Sequence, residues 1–539
     1  MRLALASLVF ILATAAVAAD DPAATDKKRL SEAAAIDAAT ARAPIDEQAK
    51  VTAHSIVVDG RPLAYHATAG TLTIRDVNGK PTGSVFYVAY TADGVKDMKR
   101  RPVTFFYNGG PGSASLWLHM GSLGPMRIRT ANPEYIKPAP YDFGPNPDTL
   151  LDTSDLVFID AMGTGYSRPL GDAKNSDFWG VDQDADAFAK AITRYLTINA
   201  RWNSPKFLFG ESYGTTRSGA LAYQLEDRGV ALNGVVILSS ILNYGIRQPG
   251  FDQTYIGYLP SYAAVAWYHN RVPNCPADLA SFVQQARDFA VGPYASALAK
   301  GSTISPAEED AIAQKLSSFT GLSTTFLKQS DLRVPLNRFR KELLRDRRLT
   351  VGRYDARYTG VDPDAAGESP EFDASDTAIS GAFIATLSDY LVHDLGYKTD
   401  MPYRQSASEV PGYKWDFTHH APGARQPQTA PDVAVDLSAA MRINPYLKLM
   451  SANGYFDMAT PFFSTEYDLS HMLLGPDLQR NVEFRYYPSG HMVYLNPDAL
   501  HMLKRDTADF INRAVASAQS GTPPVRPTMA DSQAGKTPN

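Results

Sequence analysis

Cysteine is almost absent from this 539-residue sequence, in which Cys275 is the single example. A chain with one cysteine cannot form an internal disulfide, and Cys275 lacks any motif that would indicate a catalytic thiol. Long apolar runs are missing after the N-terminus, so no membrane-spanning helix is predicted there. A strong positive charge is missing as well, because 52 basic and 57 acidic residues leave a net charge of −5. Because acidic and basic residues are also interspersed, the sequence does not indicate the basic surface that nucleic-acid-binding proteins use.

The first residues have the three parts of a secretory signal peptide. Arg2 precedes an alanine-rich apolar stretch that ends in small residues at Ala18 or Ala19. We therefore expect residues 1–19 to be removed on export, and residues 20–50, which lack a strand pattern, to form a tether. An uncleaved anchor is the alternative, but the apolar stretch is short for a bilayer span. An exported protein without disulfides fits a bacterial periplasm better than a eukaryotic secretory route.

Short apolar runs bounded by turn residues predict a β-sheet. Residues 55–60, 64–67 and 84–90 contain β-forming side chains and predict an antiparallel edge. Four further runs, at residues 103–107, 156–160, 207–209 and 235–238, are almost continuously apolar, as strands buried on both faces are. Strand patterns resume at residues 446–451 and 482–487. Together with the helical patterns between them, they predict an α/β fold with a mostly parallel central sheet flanked by helices.

The middle of the chain differs in composition from the two parts around it. Residues 244–432 carry helical patterns separated by long loops rich in proline, glycine, aspartate and tyrosine. We interpret this segment as a largely helical cap inserted between two parts of the core, residues 51–243 and 433–516. The predicted cap helices cover residues 279–294, 306–320, 332–349 and 378–395. A closing helix is predicted from Pro497, and residues 517–539 are predicted to be a disordered tail.

The sequence Gly210-Glu211-Ser212-Tyr213-Gly214 directly follows one predicted strand and precedes a helical pattern. Gly-x-Ser-x-Gly in that setting is the pattern of a nucleophile elbow, a strained turn that exposes a serine hydroxyl. Glycines flank the serine because side chains would collide there. Ser212 is therefore the candidate nucleophile, and a chance pattern in a loop is the alternative.

A serine hydroxyl needs a histidine to take its proton and a carboxylate to orient that histidine. In α/β-hydrolases the chain order is serine, acid, histidine, and the last two follow late strands. Asp457 follows the strand at 446–451, and His491 follows the strand at 482–487. These two residues are the candidate acid and base. Asp160, at the end of another strand, is the rival acid, although it precedes the serine.

An acyl-transfer site also needs N–H donors for the oxyanion that forms in the transition state. One donor is expected at the residue after the nucleophile, Tyr213, and the other in a loop after an earlier strand. The strand at 103–107 runs straight into Asn108-Gly109-Gly110-Pro111-Gly112, whose glycines permit a close approach of the backbone. We assign the second donor to Gly110.

Four motifs together resemble those of the serine carboxypeptidase family of α/β-hydrolases. They are Asn108 to Gly112, Asp160 to Ser167, Gly210 to Gly214 and Gly490 to Val493. The resemblance implies an α/β-hydrolase fold, no cofactor, and removal of the C-terminal residue of a peptide through an acyl-enzyme on Ser212. It also implies that Asn108 and Glu211 hold the terminal carboxylate of the substrate, for which Glu211 must be protonated.

The sequence departs from the family pattern at two positions. The second acidic partner of the carboxylate falls on Ser122, and a common cysteine falls on Ser113. These departures leave open an esterase or acyltransferase that uses the same triad. A non-catalytic periplasmic binding protein with the same fold is a third alternative. The expected partners are peptides with a free C-terminus, and neither nucleic acid nor stable membrane insertion is expected.

Three weaker features indicate no further ligand. His419 and His420 are adjacent, so on a strand they would face opposite sides, and no further metal-ligand spacing accompanies them. The basic run at residues 338–348 is interpreted as a solvated helix face. Gly163-Thr164-Gly165 lacks the third glycine of a dinucleotide-binding loop. We therefore predict neither a metal nor a cofactor.

Overall fold

The structure is a computed structural model that describes Ala43, residues 45–248 and residues 250–519. The predicted signal peptide, most of the predicted tether and most of the predicted tail lie outside the described residues. The first strand starts at Ala49, inside the predicted tether. Ala49 is the first residue to pair with the second strand, where it lies opposite Gly70. The last helix reaches Gln519, so residues 517–519 of the predicted tail are helical.

A ten-stranded sheet forms the centre of the fold. The strands in chain order are β1 (Ala49–Val58), β2 (Arg61–Arg75), β3 (Pro81–Ala92), β4 (Val103–Tyr107), β5 (Met126–Ile128), β6 (Phe143–Pro145), β7 (Asp155–Ile159), β8 (Arg168–Pro169), β9 (Lys206–Ser212), β10 (Gly234–Ser240), β11 (Leu349–Val351), β12 (Thr359–Val361), β13 (Lys448–Gly454) and β14 (Val482–Tyr487). The order across the sheet is β1-β2-β3-β7-β4-β9-β10-β13-β14, with β8 beside β3. In this sheet order, the neighbours from β1 to β7 pair antiparallel. The neighbours from β7 through β4, β9, β10 and β13 to β14 pair parallel. The predicted mostly parallel sheet with an antiparallel edge is confirmed.

Both faces of the inner parallel strands are buried, whereas the edge strand β14 is only partly buried. Neighbouring residues on a strand point to opposite faces, so Phe105 and Leu208 join one hydrophobic cluster while Phe106 and Phe209 join another. The first cluster is covered by the helices Val181–Ile198, Tyr213–Asp227 and Ala434–Ile443, and the second by Leu116–Gly121, Ser380–His393 and Pro497–Gln519. This double burial explains why the strands read as unbroken apolar runs in the sequence.

The predicted cap consists of short helices separated by long loops. Its described α-helices are Gln253–Tyr268, Leu279–Phe289, Ala295–Ala299, Pro306–Thr320, Thr324–Gln329, Leu336–Glu342, Ala374–Thr377 and Ser380–His393. The prediction for residues 306–320 is confirmed, whereas the prediction of one helix over 332–349 is wrong. Pro335 stands just before Leu336–Glu342 because its ring is excluded from a helix interior. Leu349–Val351 forms β11 and pairs with β12 instead.

The predicted cap does not pack as one block. Many of its apolar side chains form a third hydrophobic cluster, which also contains Phe456 and Phe462 from the second part of the core. Phe383, by contrast, belongs to a cluster on the central sheet. The division into core and cap therefore stays a prediction. No helix within the described residues is long and apolar enough to cross a bilayer.

Candidate active site

Ser212 lies at a strained turn between β9 and the helix Tyr213–Asp227. Its backbone has φ 61° and ψ −131°, a conformation that residues with a Cβ atom rarely adopt. Such a residue costs about 1–3 kcal/mol, which the surrounding structure must offset. A Cβ atom on Gly210 would lie 2.3 Å from the carbonyl oxygen of Gly214. The turn therefore has no room for a side chain at Gly210, as the elbow pattern predicts.

Asp457 and His491 come together beyond the ends of β13 and β14. Nδ1 of His491 lies 2.8 Å from Oδ2 of Asp457, and both side chains are almost completely buried. The hydroxyl of Thr460 lies 2.7 Å from the same Oδ2 atom and 3.1 Å from Nδ1. Burial lowers the pKa of His491, but the charge of Asp457 and its hydrogen bond outweigh burial and raise the pKa above its usual value. The structure thus brings the two predicted residues into direct contact.

The other nitrogen of the His491 ring, Nε2, is not engaged by another described residue. Nε2 is buried and makes no hydrogen bond within the described part of the chain. His491 and Ser212 line the same cavity of about 230 Å³, so Nε2 is the nitrogen left for the serine hydroxyl. The N–H of His491 donates to the carbonyl of Tyr354 over 2.6 Å, and the two ring centroids are 5.2 Å apart. Ser239 donates its hydroxyl to the carbonyl of His491. These contacts fix the loop that carries the imidazole.

The glycine loop after β4 lies directly against the elbow. A Cβ atom on Gly109 would come within 2.3 Å of the backbone nitrogen of Tyr213, and Gly110 has φ +103°. The N–H of Tyr213 is in the first helical turn and has no intrahelical acceptor. Arg217 is fully buried and donates to the carbonyl of Asn108 over 2.7 Å, which ties the loop to the helix. The two predicted donors, the N–H groups of Gly110 and Tyr213, therefore lie on two segments whose backbones touch beside Ser212.

Glu211 is a buried carboxyl group next to Ser212. Only 3% of the residue is exposed. Burial raises its pKa to about 7, although the charge of His491 and contacts with Tyr494 and Asn108 lower it. Oε2 of Glu211 makes no well-aligned hydrogen bond with any described residue. Asn108 uses Oδ1 to accept the N–H of Leu118 over 2.9 Å, which leaves its Nδ2 donor for Glu211. A large share of Glu211 is therefore protonated at neutral pH and can donate a hydrogen bond.

Asp160 and Ser122 lie away from the histidine. The carboxylate of Asp160 accepts the N–H of Ser115 over 2.8 Å, and Asp160 does not line the cavity around Ser212. The hydroxyl of Ser122 is fully buried and donates to the carbonyl of Leu118 over 2.5 Å. The rival acid therefore supports the backbone after the glycine loop, and the Ser122 side chain is turned into its own helix.

His419 and His420 converge on one carboxylate, so the prediction that they face opposite sides is wrong. Their Nδ1 atoms lie 2.6 Å and 3.0 Å from Asp182, and Nε2 of His419 lies 2.9 Å from Asp436. The chain forms only an isolated bridge here, between His419 and Gln428, rather than an extended strand. Burial lowers the pKa of His419, but the two carboxylates outweigh it and raise the pKa to about 9. Across the described ranges, no group of three or more histidine, cysteine or acidic side chains is arranged to hold a metal.

Several residues around the site were not identified from the sequence. Tyr354 contacts His491, Thr460 contacts Asp457, and Asp376 lines the cavity. Thr460 follows Asp457 at a spacing of three, and that local spacing was the one signal available. Tyr354 and Asp376 come from the predicted cap, where no motif links them to the elbow.

A larger cavity of about 670 Å³ lies between the first described residues, β2 and a flanking helix. Three of its basic side chains are engaged in ion pairs, and the fourth, Arg75, donates to the carbonyl of Gly79. Arg194 lies 2.8 Å from Glu47, and Lys190 and Arg228 each lie 2.7 Å from Asp186. This cavity combines no serine with a histidine, so the smaller cavity is the candidate active site.

Comparisons with known proteins point to one family. Residues 60–262 match the sequence model of the family described as serine carboxypeptidase. The pheromone-processing carboxypeptidase kex1 of Schizosaccharomyces japonicus is 26% identical over 230 residues, which are 41% of this chain and 39% of that protein. The match thus spans about two fifths of the length of this curated relative.

The solved structures to which this chain is similar have low sequence identity to it. A prohormone-processing carboxypeptidase from Saccharomyces cerevisiae, KEX1(delta)P, is 15% identical, with 84% of this chain and 91% of that chain covered and a TM-score of 0.47. A proline iminopeptidase from Mycobacterium smegmatis is 14% identical, with 83% and 99% covered and a TM-score of 0.35. The predicted α/β-hydrolase fold is confirmed by the sheet of this chain, in which β9 leads through the elbow into a helix.

Proposed function

We propose that the protein is a serine carboxypeptidase that hydrolyses the C-terminal peptide bond of peptides, and the match of residues 60–262 to the sequence model of that family supports this proposal. The observation that carries the proposal is Glu211, a buried carboxyl group with a pKa of about 7 in the cavity that Ser212 and His491 line. A protonated carboxyl group can donate a hydrogen bond to a carboxylate. Hydrolysis of a simple ester needs no such donor.

Catalysis is assigned to Ser212, His491 and Asp457. Nε2 of His491 takes the hydroxyl proton of Ser212 while Oγ forms a bond to the scissile carbonyl carbon. Asp457 keeps the Nδ1–H oriented and stabilises the imidazolium. His491 then passes the proton to the leaving amine, the C–N bond breaks, and the rest of the peptide stays on Ser212 as an ester. A water molecule that His491 deprotonates hydrolyses this ester and restores the serine.

The backbone around Ser212 supplies the remaining groups. The N–H groups of Gly110 and Tyr213 bind the oxyanion, and one such donor is worth about 2.7–4 kcal/mol of barrier. Asn108 and Glu211 hold the terminal carboxylate of the substrate. Because that carboxylate belongs to the leaving residue, its binding places the last peptide bond at the nucleophile. The predicted release of single C-terminal residues follows from this placement.

An esterase or acyltransferase with the same triad is the second candidate, and Ser122 is the observation that favours it. Its hydroxyl is bonded to Leu118, so no second acid supports Glu211 from that position. A substrate without a terminal carboxylate would then lose little binding energy. A non-catalytic binding protein is the third alternative, and it would leave Ser212 inert toward a serine-directed phosphonate.

One set of substrates separates these functions. An N-blocked dipeptide, its C-terminal amide and its methyl ester are compared with the wild type and Ser212→Ala. We expect preference for the free acid and a loss of about a thousandfold or more in kcat for Ser212→Ala. Ser388→Ala, on an exposed face of the helix Ser380–His393, is the matched control and should keep full activity. Activity of Ser212→Ala equal to that of the wild type would refute a serine mechanism, and turnover of the ester alone would support the second candidate.

We also propose that the protein is exported, with a bacterial periplasm as its compartment. The support is the sequence of residues 1–19, which has a basic start, an apolar stretch and a small-residue end. Expression of the full chain in a Gram-negative host, followed by fractionation and N-terminal sequencing, tests it. A cytoplasmic product that retains Met1 would contradict it.

A further inference from the structure

Asp376 brings a negative charge from the predicted cap into the candidate active site. It lines the same cavity as Glu211, Ser212 and His491. The residue is half-buried and stands in the short helix Ala374–Thr377. Its side chain is therefore positioned to contact a molecule that occupies the cavity.

The carboxylate of Asp376 has no cationic partner among the residues that the structure describes. Burial, and then the charge of Asp373, raise its pKa, while the hydroxyl of Ser380 stabilises the charged form. Asp373 has a cation of its own, because Arg340 lies 3.9 Å from it. A half-buried carboxylate without a counter-charge gains from any cation that enters the cavity.

Part of the wall of this cavity is apolar and aromatic. Trp117 and Met492 line the same cavity, and Met492 is almost fully buried. Lysine and arginine side chains combine a long apolar stem with a charged end. Such a side chain could pack its apolar stem against Trp117 and Met492 and bring its charged end to Asp376.

We propose that Asp376 determines specificity by binding a positively charged group of the substrate. The inference rests on the proposed function. It adds that the preferred substrates of the protein are peptides with an ammonium or guanidinium group near the cleaved bond. Two sources carry this chemistry. One is a lysine or arginine side chain of the substrate, and the other is the free α-amino group of a very short peptide.

Paired substrates distinguish the two sources. N-blocked dipeptides ending in lysine or arginine are compared with those ending in norleucine or glutamine, and unblocked dipeptides ending in norleucine are compared with their blocked forms. The wild type should prefer one cationic member over its neutral partner by about tenfold in kcat/KM, as expected for a hydrogen bond to a charged group. The pair that shows the preference identifies the source.

Asp376→Asn should abolish that preference and leave turnover of the neutral substrates within about twofold. Asp376→Lys should reverse it, so that a dipeptide ending in glutamate becomes better than one ending in lysine. Asp389→Asn is the matched control, because Asp389 is exposed on the helix Ser380–His393, where it lies 3.5 Å from His393. This control should keep the wild-type preference.

The inference is wrong if the wild type shows no preference in either pair, or if Asp376→Asn keeps it. Failure of the proposed function gives a different result, since the wild type would then release no C-terminal residue from any peptide. If only esters are turned over, the same comparison is made with a cationic and a neutral ester of equal length. An unchanged ratio for Asp376→Asn on those esters would also overturn the role of Asp376.

Discussion

Glu211→Gln tests carboxylate recognition sharply because it removes a titratable proton and keeps the shape of the side chain. The pKa of Glu211 is about 7, so its protonated fraction falls from about 90% at pH 6 to about 10% at pH 8. Only the protonated form donates to a terminal carboxylate, and the ionised form repels it. The kcat/KM for a free-acid peptide, divided by that for its amide, should therefore fall about tenfold over this range.

The ratio isolates Glu211 because the titration of His491 affects both substrates alike. A glutamine amide donates at every pH, so Glu211→Gln should give a ratio that is level from pH 6 to pH 8. Glu211→Ala removes the donor and should lower the ratio at pH 6 by about 10- to 100-fold. Glu226→Gln is the matched control, since Glu226 is a buried glutamate with a raised pKa that bonds to Asn444 outside the cavity. A level wild-type ratio, or a fall that persists in Glu211→Gln, would refute the reasoning.

The raised pKa of Glu211 also predicts how the free energy of unfolding depends on pH. The folded protein holds this proton up to pH about 7, whereas the ordinary pKa of an exposed glutamate is 4.5. The stabilisation is complete below pH 4.5 and is lost as the pH rises through 7. The loss is about 3 kcal/mol. Urea unfolding should show that Glu211→Gln lacks this part of the pH dependence, and parallel curves for variant and wild type would contradict the raised pKa.

Three further substitutions test the supporting structure. Thr460→Val removes the hydroxyl at Asp457 and should lower kcat about tenfold with little change in KM, as measured on the free-acid peptide; an unchanged kcat would exclude a positioning role. The pKa of His419 is about 9, so its contribution to the free energy of unfolding is complete below pH 6.5. About 3 kcal/mol of this contribution is lost as the pH rises through 9. Urea unfolding of His419→Gln should not show this loss. Ser122→Glu buries an unpaired carboxyl group and should destabilise the fold by about 3 kcal/mol or more. It should not raise the selectivity for the free-acid peptide. A folded variant with higher selectivity would contradict the finding that the Ser122 side chain points away from the active site.

The position of the triad could be predicted because buried strands leave a strong signal. Strands β4 and β14 have the predicted bounds, since each is a short run of apolar or β-forming residues that ends at a turn. Parallel strands bring the loops at their carboxyl ends to one edge of the sheet. Ser212 at the end of β9 and His491 after β14 therefore had to lie on the same side. The antiparallel edge was harder, because β2 runs from 61 to 75 with weak β-formers such as Gly70 and is held by pairing on both sides.

The chemistry of the cavity wall could not be predicted in the same way. Tyr354 and Asp376 stand far from Ser212 in the sequence, and no periodic pattern fixes where an irregular segment crosses the sheet edge. The pKa of Glu211 was equally inaccessible, because it depends on the exclusion of water by the packed residues around it. The need for a protonated Glu211 was implied by the family resemblance, while the burial that raises its pKa to about 7 is a property of the fold.

Glu211 and His491 also change each other's pKa, and this coupling makes a last prediction. The charge of Glu211 raises the pKa of His491, and the charge of His491 lowers that of Glu211. Groups that interact in this way titrate as a pair. Glu211→Gln removes the negative charge, so the acid limb of kcat/KM for the amide, which requires neutral His491, should move to lower pH. If the acid limb for the amide stays in place, Glu211 is neutral over the whole pH range in which His491 titrates. In that case a fall in the ratio of kcat/KM for the free acid to kcat/KM for the amide above pH 7 would need another cause.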